Sequence, residues 1–149
     1  MEFGATLQAA RRSAELSQRQ LARRARTSQA RISSYESGKL TPEEQTQRRL
    51  LQAARQLPSV VLDRCRDEVK RLAAERHLLY VRVFGSVARG TDTLSSDIDL
   101  LVTPDEGASL LDMAGFVLDV EALTGYKVDV VSDAPLTDGS EIVVEALWL

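Results

Sequence analysis

Two aspartates at the start of a short apolar run most constrain what this chain can become. Asp97 and Asp99 flank Ile98 at the head of Ile98-Asp99-Leu100-Leu101-Val102, and an earlier run, Leu78-Leu79-Tyr80-Val81-Arg82-Val83-Phe84, precedes them. Both runs are short and rich in β-branched, aromatic or large aliphatic residues, so both read as strands. A carboxylate in a buried strand is costly unless something positive compensates it. Residues i and i+2 of a strand project from one face, so the two carboxylates stand together and repel. A divalent cation is the usual remedy. Just after the first run comes Gly85-Ser86, a turn whose backbone N–H groups can approach phosphate oxygens. Residues 85–99 thus predict a cation beside a phosphate cradle.

At 149 residues the chain can hold one domain or two small ones. Its net charge of -3 conceals a division. Residues 1–57 carry 11 Lys+Arg against 5 Asp+Glu, a balance of +6, whereas residues 58–149 carry 8 against 17, a balance of -9. A basic half joined to an acidic half predicts two modules with different partners, 1–57 and 58–149, meeting near Gln56-Leu57-Pro58-Ser59. Cys65 is the only cysteine, so no intramolecular disulfide can form and a cytoplasmic setting is expected. No apolar run approaches a membrane span, and the N-terminus lacks a signal-peptide core.

Five short helical segments are expected before Pro58. The first covers about Ala5–Glu15. Ser17 then caps Gln18–Ala25, and Ser28 caps a helix running to Glu36 with Ile32 and Tyr35 inward. Ser37-Gly38-Lys39 stops that helix, and Thr41-Pro42-Glu43-Glu44 restarts one with Pro at its first position, closed by Leu50, Leu51 and Ala54. Two short helices joined by a tight turn, with others packed behind, describe a helix-turn-helix. The stretch Leu16–Ala25 followed by Thr27–Lys39, ending Tyr-Glu-Ser-Gly-Lys, resembles the Cro/repressor-type (XRE) family over residues 4–57. That resemblance implies a second helix lying in the major groove of operator DNA, with the protein bound as a dimer. Position by position, Gln29, Ala30 and Ser34 would face base edges. Gln18, Ser28 and Lys39 would hold phosphates, and Arg31 could reach either. The competing reading is a small basic helical bundle used for protein contacts.

In the acidic half a helix from Ser59 to about Glu75 puts Val61, Cys65, Val69 and Leu72 or Ala73 on one face, with Cys65 a core residue. His77 has no histidine or cysteine partner at metal spacing and reads as structural. A helix over Ser109–Leu123, with Leu110, Ala114, Val117, Leu118 and Ala122 on its apolar face, is closed by Thr124-Gly125. Tyr126–Val131 reads as a third strand in which Asp129 interrupts a Val-rich run. Asp138-Gly139-Ser140-Glu141 has capping-box spacing and opens a last helix through Ile142, Val143, Ala146 and Leu147. The fold class expected is an all-α helix-turn-helix domain followed by an α/β domain on a small mixed sheet.

Gly85-Ser86, ten residues, then Asp97-x-Asp99 resembles the Gly-Ser-x10-Asp-x-Asp signature of the DNA polymerase β nucleotidyltransferase superfamily. The flanking Phe84–Gly90 and Ser96–Val102 look like its minimal nucleotidyltransferase branch, over about residues 60–149. The resemblance implies an Mg²⁺- or Mn²⁺-dependent transferase of ATP held at Asp97 and Asp99, with Asp129 completing the metal site and able to take the acceptor's proton. It also implies nucleotide binding by Gly85, Ser86 and Arg89. Val87 departs from the family, many members of which carry a basic residue there. Relatives of this type act as antitoxins that adenylylate a HEPN-type toxin, and the helix-turn-helix would add control of the promoter. The alternative is a transcriptional regulator whose nucleotidyltransferase fold senses nucleotide or docks a partner. A weaker option, an antibiotic nucleotidyltransferase, meets a chain with no spare domain for a sugar pocket.

Overall fold

In the computed structural model, which describes residues 2–149, the chain passes from one self-contained unit to another between Gln56 and Leu57. The first unit comprises α1 (Phe3–Ser13), α2 (Gln18–Arg24), α3 (Gln29–Glu36) and α4 (Glu44–Ala53), four helices among the described residues where five were expected. Ser17 and Ser28 cap as their positions predict. The Ser17 hydroxyl accepts the Gln20 N–H while the Gln20 side chain returns to the Ser17 N–H, and the Ser28 hydroxyl accepts the Arg31 N–H. Pro42 is not the first residue of α4. It lies buried in the extended approach, where its carbonyl accepts from Gln47 Nε2 at 2.8 Å, and the helix starts two residues later.

Leu7, Leu21, Ile32 and Leu50, one from each helix, are fully buried together. Gly4 lets α1 press on the end of α3, since a Cβ there would stand 2.4 Å from the Tyr35 carbonyl oxygen. Beside this core the Arg11 guanidinium grips Glu36 twice, Nε to Oε1 at 2.6 Å and Nη2 to Oε2 at 3.0 Å. Arg11 Nη1 also donates to the Leu16 carbonyl at 2.7 Å, so one side chain ties α1 both to α3 and to the turn before α2.

The second unit runs α5 (Pro58–Arg64), α6 (Arg66–Glu75), β1 (Leu78–Phe84), α7 (Gly85–Arg89), β2 (Ile98–Pro104), α8 (Leu110–Thr124), β3 (Val128–Ser132), α9 (Glu141–Glu145) and β4 (Leu147–Trp148). The sheet order is β3-β2-β1-β4. β2 and β3 are parallel, as the α8 crossover requires, and the other pairs are antiparallel. Leu62, Val69, Phe116 and Val120 from the helices pack against Val81, Val83, Leu100, Val102 and Val128 on one sheet face. Asp99 and Asp129, out of phase with those residues, belong to the other face. None of the described helices is long and apolar enough to cross a membrane.

Four expectations need correction here. The single helix expected over residues 59–75 bends at Cys65, where ψ relaxes to 9°, although the bonds Cys65 N–H to Val61 and Val69 N–H to Cys65 keep its stripe continuous. The Gly85-Ser86 turn is the start of a one-turn helix rather than an open loop. The last helix is capped by Ser140, not Asp138, and ends at Glu145. Leu147 and Trp148 then pair with Val83 and Arg82, satisfying backbone groups on an otherwise open edge of β1. Most consequentially, the face of α8 assigned to the core is mostly the wrong one: Val117 packs against the core as expected, but Leu110, Ala114, Leu118 and Ala122 are exposed, while Phe116, Val120 and Thr124 are buried. Apolar residues encircle most of this helix, so periodicity gives no direction.

Glu36 is held below the usual carboxylate range. Burial pushes it up, but the hydrogen bonds from Arg11 and Gln18 outweigh burial. A depressed carboxylate contributes stability above its unfolded pKa and loses it as pH falls through the folded value. With side-chain exposures of 12% for Arg11 and 2% for Glu36, Glu36→Ala strands a buried guanidinium and is expected to cost about 3 kcal/mol. Thermal melts of the helical unit across pH 3–7 check this. The variant should melt lower at neutral pH, and its acid dependence should flatten.

Candidate active site

The site begins where β1 hands over to α7. Phe84 lies opposite Asp99 in the antiparallel ladder, so the next residue, Gly85, turns directly over the Asp99 side chain. Gly85 has φ 71°, and a Cβ built there would lie 2.1 Å from Asp99 Oδ2. Only glycine gives both the left-handed backbone and the clearance. The parallel ladder sets Asp129 beside Asp99 as its register partner. Asp97 stands just ahead of β2, with Lys127 Nζ 4.0 Å from its Oδ2. Two registers and one tight turn therefore gather the acids that the sequence separates by thirty-two positions.

Asp99 carries the electrostatic mark of this gathering. Its carboxyl is pushed above the usual range, first by burial and then by the charges of Asp129 and Asp97, against the opposing pull of Arg89. Among the described residues no three His, Cys, Asp or Glu side chains close into a metal-holding cluster. The donor chemistry nonetheless suits a hard divalent cation: all three groups offer carboxylate oxygen, and the upward push on Asp99 comes from burial and like charge that a cation would offset.

Gly85, Ser86 and Arg89 lie on α7, with Gly85 at its first position and Arg89 at its last. Val87 packs against the core, so the position at which many relatives carry a basic residue is here part of the packing. Sequence reasoning missed Glu145. Its Oε2 accepts the Gly85 N–H at 3.0 Å and its Oε1 accepts from Arg89 Nη1 at 2.5 Å, bridging both ends of α7. Those bonds hold its carboxyl below the ordinary range. Nothing in residues 141–145 taken alone marks Glu145 out from Glu141; only folding the chain end onto α7 does so.

In the helical unit Gln29, Ala30, Arg31 and Lys39 are exposed, and Ser34 is half-buried on the same side of α3. Ser33 shares that face and was not singled out from sequence. Ser28 is also exposed, its hydroxyl engaged as the α3 cap. Gln18 differs, because its Nε2 turns inward to Glu36 Oε2 at 2.9 Å.

Residues 2–62 match the helix-turn-helix domain family and residues 62–146 the nucleotidyltransferase domain family. A candidate protein adenylyltransferase of Methanocaldococcus jannaschii is 44% identical over 50 residues, covering 34% of this chain and 54% of that protein. The protein adenylyltransferase MntA of Thermococcus cleftensis is 41% identical over 59 residues, covering 40% of this chain and 60% of that one. The chain thus spans little more than half the length of these relatives. A solved structure of a candidate minimal nucleotidyltransferase superposes with a TM-score of 0.56 at 42% identity, covering 61% of this chain and 95% of that one. With its second unit matched almost throughout and its carboxylates set against a Gly-Ser turn, the chain belongs to the nucleotidyltransferase domain family and carries a helix-turn-helix domain ahead of that fold.

Proposed function

We propose that this protein is a DNA-binding nucleotidyltransferase of the cytoplasm that moves AMP from ATP to a hydroxyl of a HEPN-type toxin. It would thereby serve as the toxin's antitoxin while controlling its own promoter. The observation that carries the reading is the crowding of Asp97 and Asp129 around Asp99 directly under the Gly85 turn. In the family reading, Asp97, Asp99 and Asp129 would hold Mg²⁺ or Mn²⁺, which neutralises charge developing on the transferred phosphoryl group. The α7 amides and the Ser86 hydroxyl orient the β- and γ-phosphates, and Arg89 offsets their charge. The acceptor hydroxyl attacks the α-phosphorus, the bond to the β-phosphate oxygen breaks, and pyrophosphate leaves. Asp129, the exposed member of the three, is placed to take the acceptor's proton.

One observation favours the alternative, a regulator that only senses nucleotide. Glu145 already occupies the Gly85 amide and Arg89, two of the donors assigned to the triphosphate. Incubation with Mg²⁺, labelled ATP and a HEPN-type protein separates the readings. The paired change Asp97→Asn with Asp99→Asn is expected to abolish labelling while operator binding survives. Labelling that persists in this variant sinks the transferase assignment.

Competition at α7 has its own consequence. Glu145→Gln weakens the hold on both donors, so Kd for MgATP should fall by roughly tenfold, the scale of one charge-assisted hydrogen bond. Calorimetric titration measures it, and weaker binding would instead make Glu145 a brace for the cradle.

For the helical unit, removing a phosphate contact should weaken all sequences alike, and removing a base contact should relax discrimination. Lys39→Ala is expected to lower affinity for operator and random duplex together, with the salt slope reduced by about 1. Gln29→Ala should narrow the difference between the two duplexes. Fluorescence anisotropy at several salt concentrations reads both.

A further inference from the structure

Helix α8 is apolar on the side that meets water as well as on the side that meets the sheet. Leu110, Leu111 and Leu118 are 84%, 81% and 66% exposed, with Ala114 exposed between them and Ala122 exposed one turn beyond Leu118. Charged side chains flank the Leu110-Ala114-Leu118-Ala122 ridge: the Arg76 guanidinium lies along Gly115 on one side of it, and Glu121, three residues on from Leu118, stands on the other. The acids of α8 are each engaged within their own chain. Asp112 accepts from the Ser109 N–H and hydroxyl, Asp119 pairs with Arg76, and Glu121 accepts the Val128 N–H. The leucines and alanines expose on the order of 500 Å² of contiguous apolar surface, at the upper end of what a monomer leaves bare.

The order of side chains along this face indicates what covers it. Leu110, Ala114, Leu118 and Ala122 follow one another at intervals of four, forming a single ridge of the helix. Large and small alternate along that ridge. An antiparallel copy, related by a two-fold axis midway between Ala114 and Leu118, sets Leu110 against the partner's Ala122 and Ala114 against the partner's Leu118. Every leucine of the ridge then meets an alanine, the knob-and-hole complementarity that close packing needs. Two such faces bury about 1,000 Å² in total, the lower bound for a specific association. Apolar centre and charged rim also match the anatomy of such interfaces.

We propose that the outer face of α8 is a two-fold docking surface for a second copy of this chain. The pairing is independent of the transfer chemistry. It also supplies a symmetric pair of helix-turn-helix domains, as recognition of two half-sites requires. Because the acidic half carries a balance of -9, two copies repel at long range, and added salt strengthens the association.

Sedimentation equilibrium of the full chain, from about 1 to about 100 μM, tests this. Wild type should dimerise reversibly, more tightly at higher salt. Leu118→Glu and, separately, Leu111→Glu should each weaken the dimer by at least tenfold while far-UV circular dichroism and melting temperature stay close to wild type. A wild type that stays monomeric throughout, or a dimer indifferent to both changes, overturns the proposal. Should either variant misfold, cysteine pairing decides in a Cys65→Ser background. Chains with Ala114→Cys mixed with chains with Leu118→Cys should cross-link on oxidation far faster than Ala114→Cys alone, and equal rates overturn the two-fold register.

Discussion

The Gly85 backbone rests on the Asp99 carboxylate with no room for a Cβ between them, and the rest of the second unit serves to keep that contact. It requires β1 and β2 to pair so that Phe84 lies opposite Asp99, since a slip of one residue would turn Asp99 toward the helices. It requires β3 to join in parallel, which places Asp129 beside Asp99 and makes the α8 crossover necessary. The apolar face of the sheet under α5, α6 and α8 holds those registers in place. The Gly85 turn and a group of carboxylates are thereby brought against one another by packing on the opposite side of the sheet.

The two units treat buried charge in opposite ways. In the helical unit Glu36 receives two bonds from Arg11 and one from Gln18, and its carboxyl is held low. That matching makes it a fastener. In the second unit Asp99 is surrounded by like charge and its carboxyl is pushed high. An arrangement that costs stability in the free protein is one that a cation or a substrate can relieve, which is why perturbed carboxylates gather at working sites. Glu145 lies between these cases: it is satisfied by Gly85 and Arg89, yet by the donors a triphosphate would want.

The strand Leu78–Phe84, the caps Ser17 and Ser28 and the helix end at Gly125 were legible in the chain because each depends on neighbours within a few residues. The Asp97-x-Asp99 spacing and Asp129 were legible for the same reason, as acids breaking apolar runs. The cap of α9, the bend at Cys65 and the strand Leu147–Trp148 were not. Two residues carry no period, and β4 exists only because β1 offers it an edge. For α8 the sequence pointed the wrong way, since leucine on both sides leaves orientation to whichever side fits Phe116 and Val120 against the sheet.

By itself the sequence determined two modules of opposite charge, the helix-turn-helix order of the first, and a Gly-Ser turn ahead of paired acids in the second. These are matters of composition, spacing and local backbone preference, which act over short stretches of chain. Tertiary structure decided that Asp129 stands beside Asp99, that Glu145 reaches α7 from 56 residues away along the chain, and which side of α8 meets water. Those outcomes depend on strand register and on competition for the core. Both are settled only when all the elements pack together, so no local stretch contains them.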